Sequence, residues 1–136
     1  MGKLIALDLG LKRIGVAETD PLQMIASPVE TVEAKQIWKY LEYKFKEGKP
    51  DELIIGMPKS LKGEDTDGTK VALDFSKKFK KRYPHIQVVE ADERFTSVMA
   101  LQAMNMAGMK LKGNKALVDE LSACIILQGY LDSKNR

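Results

Sequence analysis

Leu4-Ile5-Ala6-Leu7-Asp8-Leu9-Gly10-Leu11-Lys12-Arg13-Ile14-Gly15-Val16-Ala17 is two apolar runs separated by a short break. Two strands joined by a tight turn at Gly10 account for this pattern. Asp8 is the anomaly. An ionised carboxylate in an apolar strand is costly unless a metal ion, an arginine or backbone N–H groups compensate it. Hydrogen bonding to the turn amides around Gly10 is the plain structural explanation. The chemical one requires further carboxylates to meet Asp8.

The rest of the chain bounds the possibilities. Its 136 residues and 15.2 kDa fit one domain, residues 1–136, with a sizeable core. A hydrophobic fraction of 44% against 30% charged is that of a globular protein in water. No apolar run approaches a membrane span, and Met1-Gly2-Lys3 opens no signal peptide, so a cytoplasmic protein without membrane partners is expected. The lone cysteine, Cys124, excludes an internal disulfide and sits in the apolar run Cys124-Ile125-Ile126-Leu127, which predicts a core position. The single His85 leaves little material for a histidine metal site or a serine triad. A net charge of +3 is compatible with nucleic acid without being diagnostic. Lys77 to Arg82 read as the solvated face of a helix, whereas Lys110, Lys112 and Lys115 fall in a glycine-containing loop suited to a ligand.

Beyond the hairpin, Met24 to Val32 reads as a third strand, with Pro28 at a sheet edge or bulge. Ile37, Trp38, Leu41 and Phe45 recur at helical spacing between Glu33 and Glu47, so Trp38 is expected in the core. Leu53 to Gly56 is continuously apolar, as in a strand buried on both faces. A polar loop from Met57 to Thr69 precedes a helix over Lys70 to Tyr83, with Val71, Phe75 and Phe79 inward. Ile86 to Val89 is a fifth strand, and Glu90-Ala91-Asp92-Glu93-Arg94 runs off its end. Thr96 or Ser97 caps a helix reaching Gly108, and a last helix spans about Ala116 to Leu131 with Leu117, Leu121, Cys124, Ile125 and Leu131 on one side. The expected fold is a mixed α/β domain with three antiparallel strands, then two parallel ones.

Acidic residues now stand at three element ends: Asp8 closing the first strand, Asp92-Glu93 after the fifth, and Asp119 at the start of the last helix. Ligands of parallel α/β sheets collect beyond the carboxyl ends of the strands. Carboxylates meeting there, with no histidine or cysteine, make an all-oxygen site for Mg²⁺ or Mn²⁺. Two such ions drive in-line phosphodiester hydrolysis. Each acid has a structural alternative, for instance Asp92 pairing with Arg94, or Asp119 stabilising a helix start.

Asp8-Leu-Gly-Leu-Lys-Arg-Ile-Gly-Val-Ala, Gly56-Met-Pro, Asp92-Glu-Arg-Phe-Thr-Ser and Val118-Asp-Glu-Leu-Ser-Ala followed by Ile-Leu-Gln-Gly-Tyr-Leu resemble the successive motifs of the YqgF (RuvX) family. The resemblance spans essentially the whole chain. Phe95 and Ser97 stand where Leu and Thr are more usual, and Ser122 where Ala is, but no acid is lost. It implies a ribonuclease H-like fold and a nuclease that trims the 5′ end of the 16S ribosomal RNA precursor, RNA being favoured over branched DNA and ribosomal precursor particles being partners. An older assignment of the family is Holliday junction resolution. By the resemblance, Asp8, Glu93 and Asp119 are the catalytic acids and hold the metal, two ions being expected. The loop from Lys59 to Thr69 becomes a flap. Gly10, Asp92 and Thr96 support the site. Many ribonuclease H-like enzymes carry an acid at the end of the fourth strand, but Gly56-Met57-Pro58 offers none here. If the family's strand order holds, that strand separates the first from the fifth, and the longer reach of Glu93 assigns it rather than Asp92 to the metal. Lys12, Arg13, Arg94, Lys110, Lys112 and Lys115 are expected on backbone phosphates. Two other classes compete. One is an actin-like or sugar-kinase nucleotide-binding lobe, for which the chain lacks a second lobe. The other is a non-catalytic RNA-binding module whose acids are structural.

Overall fold

The computed structural model describes residues 2–57, 66–92 and 115–134, with side chains described up to 91 in the second stretch and from 119 in the third. The hairpin is as expected. Strands β1 (Leu4–Leu9) and β2 (Arg13–Thr19) pair antiparallel, and the Gly10 amide closes the turn on the Arg13 carbonyl at 2.9 Å. A Cβ at Gly10 would stand 2.5 Å from that carbonyl oxygen, so the turn needs glycine for close approach.

β3 (Ala26–Glu33) is the sheet edge, and its register against β2 shifts between Val16 and Ala17, opposite Pro28. Proline cannot donate to a ladder, which explains both the edge and the bulge. A single 3₁₀ turn (Ala34–Gln36) leads into α1 (Ile37–Phe45). β4 (Glu52–Met57) is buried along its whole length and lies parallel to both β1 and β5 (Gln87–Asp92). The order is β3-β2-β1-β4-β5, as expected for a mixed five-stranded sheet.

Helices cover both faces. α1 and α2 (Asp67–Arg82) pack on Ile5, Leu7, Leu9, Ile14 and Val16. α3 (Lys115–Lys134) packs on Leu4, Ala6, Ala17 and Ile54. The alternation of β1 therefore sends odd-numbered side chains to one layer and even-numbered ones to the other. Trp38, expected in the core, is half-buried at its margin: it stacks on Phe75 with centroids 4.8 Å apart, and Arg82 lies 5.4 Å from its ring centre.

Three expectations need correction. α2 begins three residues early, because the Thr66 hydroxyl accepts from the Thr69 amide and the Thr69 hydroxyl from the Thr66 amide; the loop ends there, not at Thr69. Its buried stripe is Ala72, Phe75, Ser76 and Phe79, with Val71 only half-buried. Glu90, Ala91 and Asp92 continue β5, since Ile55, Gly56 and Met57 of β4 remain available to pair with them. Finally, α3 buries Ala123, Ile126, Leu127 and Leu131, whereas Leu121, Cys124 and Ile125 are half-buried. Small side chains on the sheet draw this helix in on its alanine side. Burial pushes the Cys124 thiol above its ordinary range, in keeping with an unreactive packing role. Of the flap expected from Lys59 to Thr69, residues 66–69 are instead the cap and first turn of α2, and the rest lies outside the described residues, as do the helix from Thr96 or Ser97 to Gly108 and most of the loop after it.

The far end of α3 is anchored by a buried acid. Glu52 accepts from the Tyr130 hydroxyl at 2.7 Å and from Lys134 Nζ at 2.9 Å. Burial, then the Glu52 carboxylate, push the Tyr130 phenol up to about 12. The native state thus keeps a proton that the unfolded chain releases near pH 10. This contribution to stability is complete below about pH 10 and disappears as pH rises towards 12. Urea midpoints of the native protein should fall more steeply between about pH 10 and 12 than those of Tyr130→Phe. Equal slopes would contradict it.

Candidate active site

Asp8 lies at the C-terminal end of β1 in the central strand pair, where its even position shares the α3 face with Leu4 and Ala6. Its register partner on β2 is Gly15. Directly paired antiparallel residues have Cα atoms roughly 4.5–5.5 Å apart. Gly15 in turn lies against the backbone of α3: a Cβ there would overlap the Asp119 carbonyl and crowd the Glu120 amide. A glycine inside a strand marks such close approach. The sheet therefore brings Asp8 and Asp119, 111 positions apart in the chain, to one face and one level.

Asp119 is the fifth residue of α3 rather than its first, so it is no helix-start carboxylate. Its Oδ2 accepts from Arg13 Nε at 2.9 Å, with the two side chains 26% and 41% exposed. One turn of sheet and helix thus holds an acid, a second acid and a guanidinium. Next to Asp119, Glu120 accepts from the Thr31 hydroxyl at 3.3 Å, and further along Gln128 accepts from the Ala26 amide at 3.1 Å. These bonds fasten α3 along the edge strand and fix where Asp119 stands.

Lys12 and Arg13 line a cleft of about 530 Å³ beside the hairpin, together with Leu11, Glu33, Ala34 and Lys35. The Ala34 amide bonds the Lys12 carbonyl at 2.9 Å and ties the cleft wall to the turn. Sequence reasoning misses Lys35. Its only signal is a position two residues past the bulged edge strand, and it pairs loosely with Glu33 at 3.5 Å.

Glu93, Arg94, Thr96, Lys110 and Lys112 lie outside the described residues, as do the side chains of Asp92 and Lys115. The backbone at Lys115 belongs to α3 rather than to the preceding loop. Among the described residues no group of three His, Cys, Asp or Glu side chains is assembled. What the described part supplies is two carboxylates on one face and a cation against one of them. Oxygen donors of this kind suit a hard divalent ion, and the guanidinium at Asp119 shows that this carboxylate accepts a positive partner. No helix among the described residues is long and apolar enough to cross a membrane.

Residues 2–133 match the family model RuvX, described as Holliday junction resolvase. A protein of Phocaeicola vulgatus is 45% identical over 98% of this chain and 98% of its own length. One of Flavobacterium psychrophilum is 43% identical over 98% and 99%. Both carry the name "Putative pre-16S rRNA nuclease". Thermus thermophilus RuvC, solved with a Holliday junction substrate, superposes with a TM-score of 0.58 at 13% identity, covering 98% of this chain and 96% of that one. A second Thermus thermophilus RuvC structure gives 0.57 at 11% identity, over 97% and 96%. At such identity the likeness speaks for the fold, which is the ribonuclease H-like one. With a family match over residues 2–133 and relatives up to 45% identical over nearly its whole length, the chain belongs to the RuvX family.

Proposed function

We propose that the protein is a divalent-metal-dependent nuclease that hydrolyses phosphodiester bonds, with the 5′ end of the 16S ribosomal RNA precursor as its substrate. The observation that carries this reading is the approach of Asp119 to Gly15, the register partner of Asp8. Asp8, Asp119 and Glu93 would hold Mg²⁺ or Mn²⁺, two ions being expected, and the bound cations supply in-line phosphodiester hydrolysis. Lys12, Arg13, Arg94, Lys110, Lys112 and Lys115 would take backbone phosphates, which confer affinity without sequence preference.

Glu93 is preferred to Asp92 on strand parity. Val89 and Ala91 pack with α3, whereas Val88 packs with the opposite layer. Were this alternation to continue past the end of β5, position 93 would be the next of the α3 series, two residues beyond the level of Asp8 and Gly56. Glu93→Gln should abolish cleavage with the fold intact, and Asp92→Asn should cost activity only in part. The reverse result would make the third ligand an aspartate and shift the register by one.

The names borne by the relatives support RNA as substrate, whereas the RuvC neighbour was solved with a Holliday junction. One experiment separates them. The protein is incubated with a 5′-extended 16S precursor fragment and with a four-way junction, in Mg²⁺, Mn²⁺ or EDTA. Metal-dependent trimming of the RNA is expected. Cleavage of the junction alone would make the protein a resolvase. Metal-independent binding without cleavage of either would make it an RNA-binding module.

A further inference from the structure

Arg13 belongs to two places at once. It lines the basic cleft beside the hairpin, and its Nε donates to Asp119 Oδ2 at 2.9 Å. On β2 it shares the α3 face with Gly15 and Ala17, so a single side chain bridges the cleft and the acidic face. The pairing is one Nε contact between partly exposed groups. Such pairs are weak and easily exchanged, unlike a buried bidentate one. A divalent cation at Asp119 has twice the charge of a guanidinium, and the two cations repel at such short range.

We infer that Arg13 is an internal counter-ion for Asp119, which metal loading displaces and which is thereby released to a phosphate in the adjacent cleft. The inference rests on the metal-dependent reading above and adds a coupling to it. Without metal, the guanidinium neutralises a carboxylate that would otherwise repel its neighbours. With metal, the same guanidinium becomes surplus at the acids and is available to the substrate backbone, for which its planar fork is suited. Metal and nucleic acid should then favour each other's binding, since metal takes Asp119 from Arg13 and phosphate takes Arg13 from Asp119, and the effect must be reciprocal. The rival structural role is that of an orienter, in which Arg13 keeps hold of Asp119 Oδ2 while the metal is bound.

Two measurements on the full chain decide between them. The first follows the Arg13 Nε–H resonance of ¹⁵N-labelled protein by NMR during a Mg²⁺ titration, with binding recorded calorimetrically on the same sample. The resonance should be protected from solvent exchange without metal and lose that protection at saturation. The second compares Mn²⁺ affinity of the native protein with that of Arg13→Gln, which should bind about three- to tenfold more tightly because a competing cation is gone. Saturation with Mg²⁺ while the Nε–H stays protected, or weaker Mn²⁺ binding by Arg13→Gln, would overturn the inference and make Arg13 an orienter. Failure of both proteins to bind either ion would instead overturn the metal-dependent function, and the counter-ion role with it.

Discussion

Asp8→Asn should reduce phosphodiester cleavage by at least about a thousandfold while leaving the fold and nucleic-acid binding in place. A metal contributes several kcal/mol to such a transition state, and each 1.36 kcal/mol is a factor of about ten in rate. Asparagine keeps the shape of aspartate, so Leu7 and Leu9 on either side keep their packing. Carboxylates gathered on one face repel one another, and removing one charge relieves that repulsion. The urea midpoint of Asp8→Asn should therefore be unchanged or slightly higher. EDTA should reproduce the loss of activity in the native protein, and added Mg²⁺ or Mn²⁺ should restore it there but not in the variant. Substantial cleavage by Asp8→Asn would remove Asp8 from the chemistry.

Gly15→Ala should have the second large effect, this time through packing. The added methyl would overlap the Asp119 carbonyl, a backbone group that no rotamer change can move aside. Overpacking of this kind costs about 1–3 kcal/mol, and more where backbone must shift. The shift has a direction. Towards its C-terminal end α3 is held by Gln128 on the Ala26 amide and by Tyr130 and Lys134 on Glu52. The helix should yield at Asp119 and lift this acid away from Asp8. Activity should thus fall by much more than the fraction of unfolded protein explains, read as kcat alongside a lowered urea midpoint. A Gly15→Ala protein of native stability and native kcat would mean that the helix and sheet do not approach as closely as described.

These two positions show how unevenly the sequence carries its information. Asp8 is legible because an acid interrupts an apolar run, and the break at Gly10 locates the turn within a residue. β4 is legible as an unbroken apolar segment, and Pro28 announces the edge and bulge it occupies. Gly15 carries a fainter signal, a glycine inside a strand, whose meaning appears only once α3 is laid across it. The start of α2 is hidden because its cap pairs Thr66 with Thr69, a position where glutamate or glutamine is the usual partner. The stripe of α3 is ambiguous because apolar residues ring much of the helix, so periodicity alone does not choose a face; the small residues of β1 and β2 do. The Arg13–Asp119 pair joins residues 106 positions apart and leaves no local trace in the sequence.

In the proposed reaction, carboxylates brought together across the Gly15 contact hold the metal that cleaves the nucleic acid. Anomalous diffraction from crystals soaked in Mn²⁺ tests it most directly. A manganese peak should lie within ligand distance of carboxylate oxygens of both Asp8 and Asp119, with Glu93 completing the set, and should vanish in Asp8→Asn crystals. Manganese bound elsewhere, with these carboxylates carrying none at saturating metal, would contradict the claim.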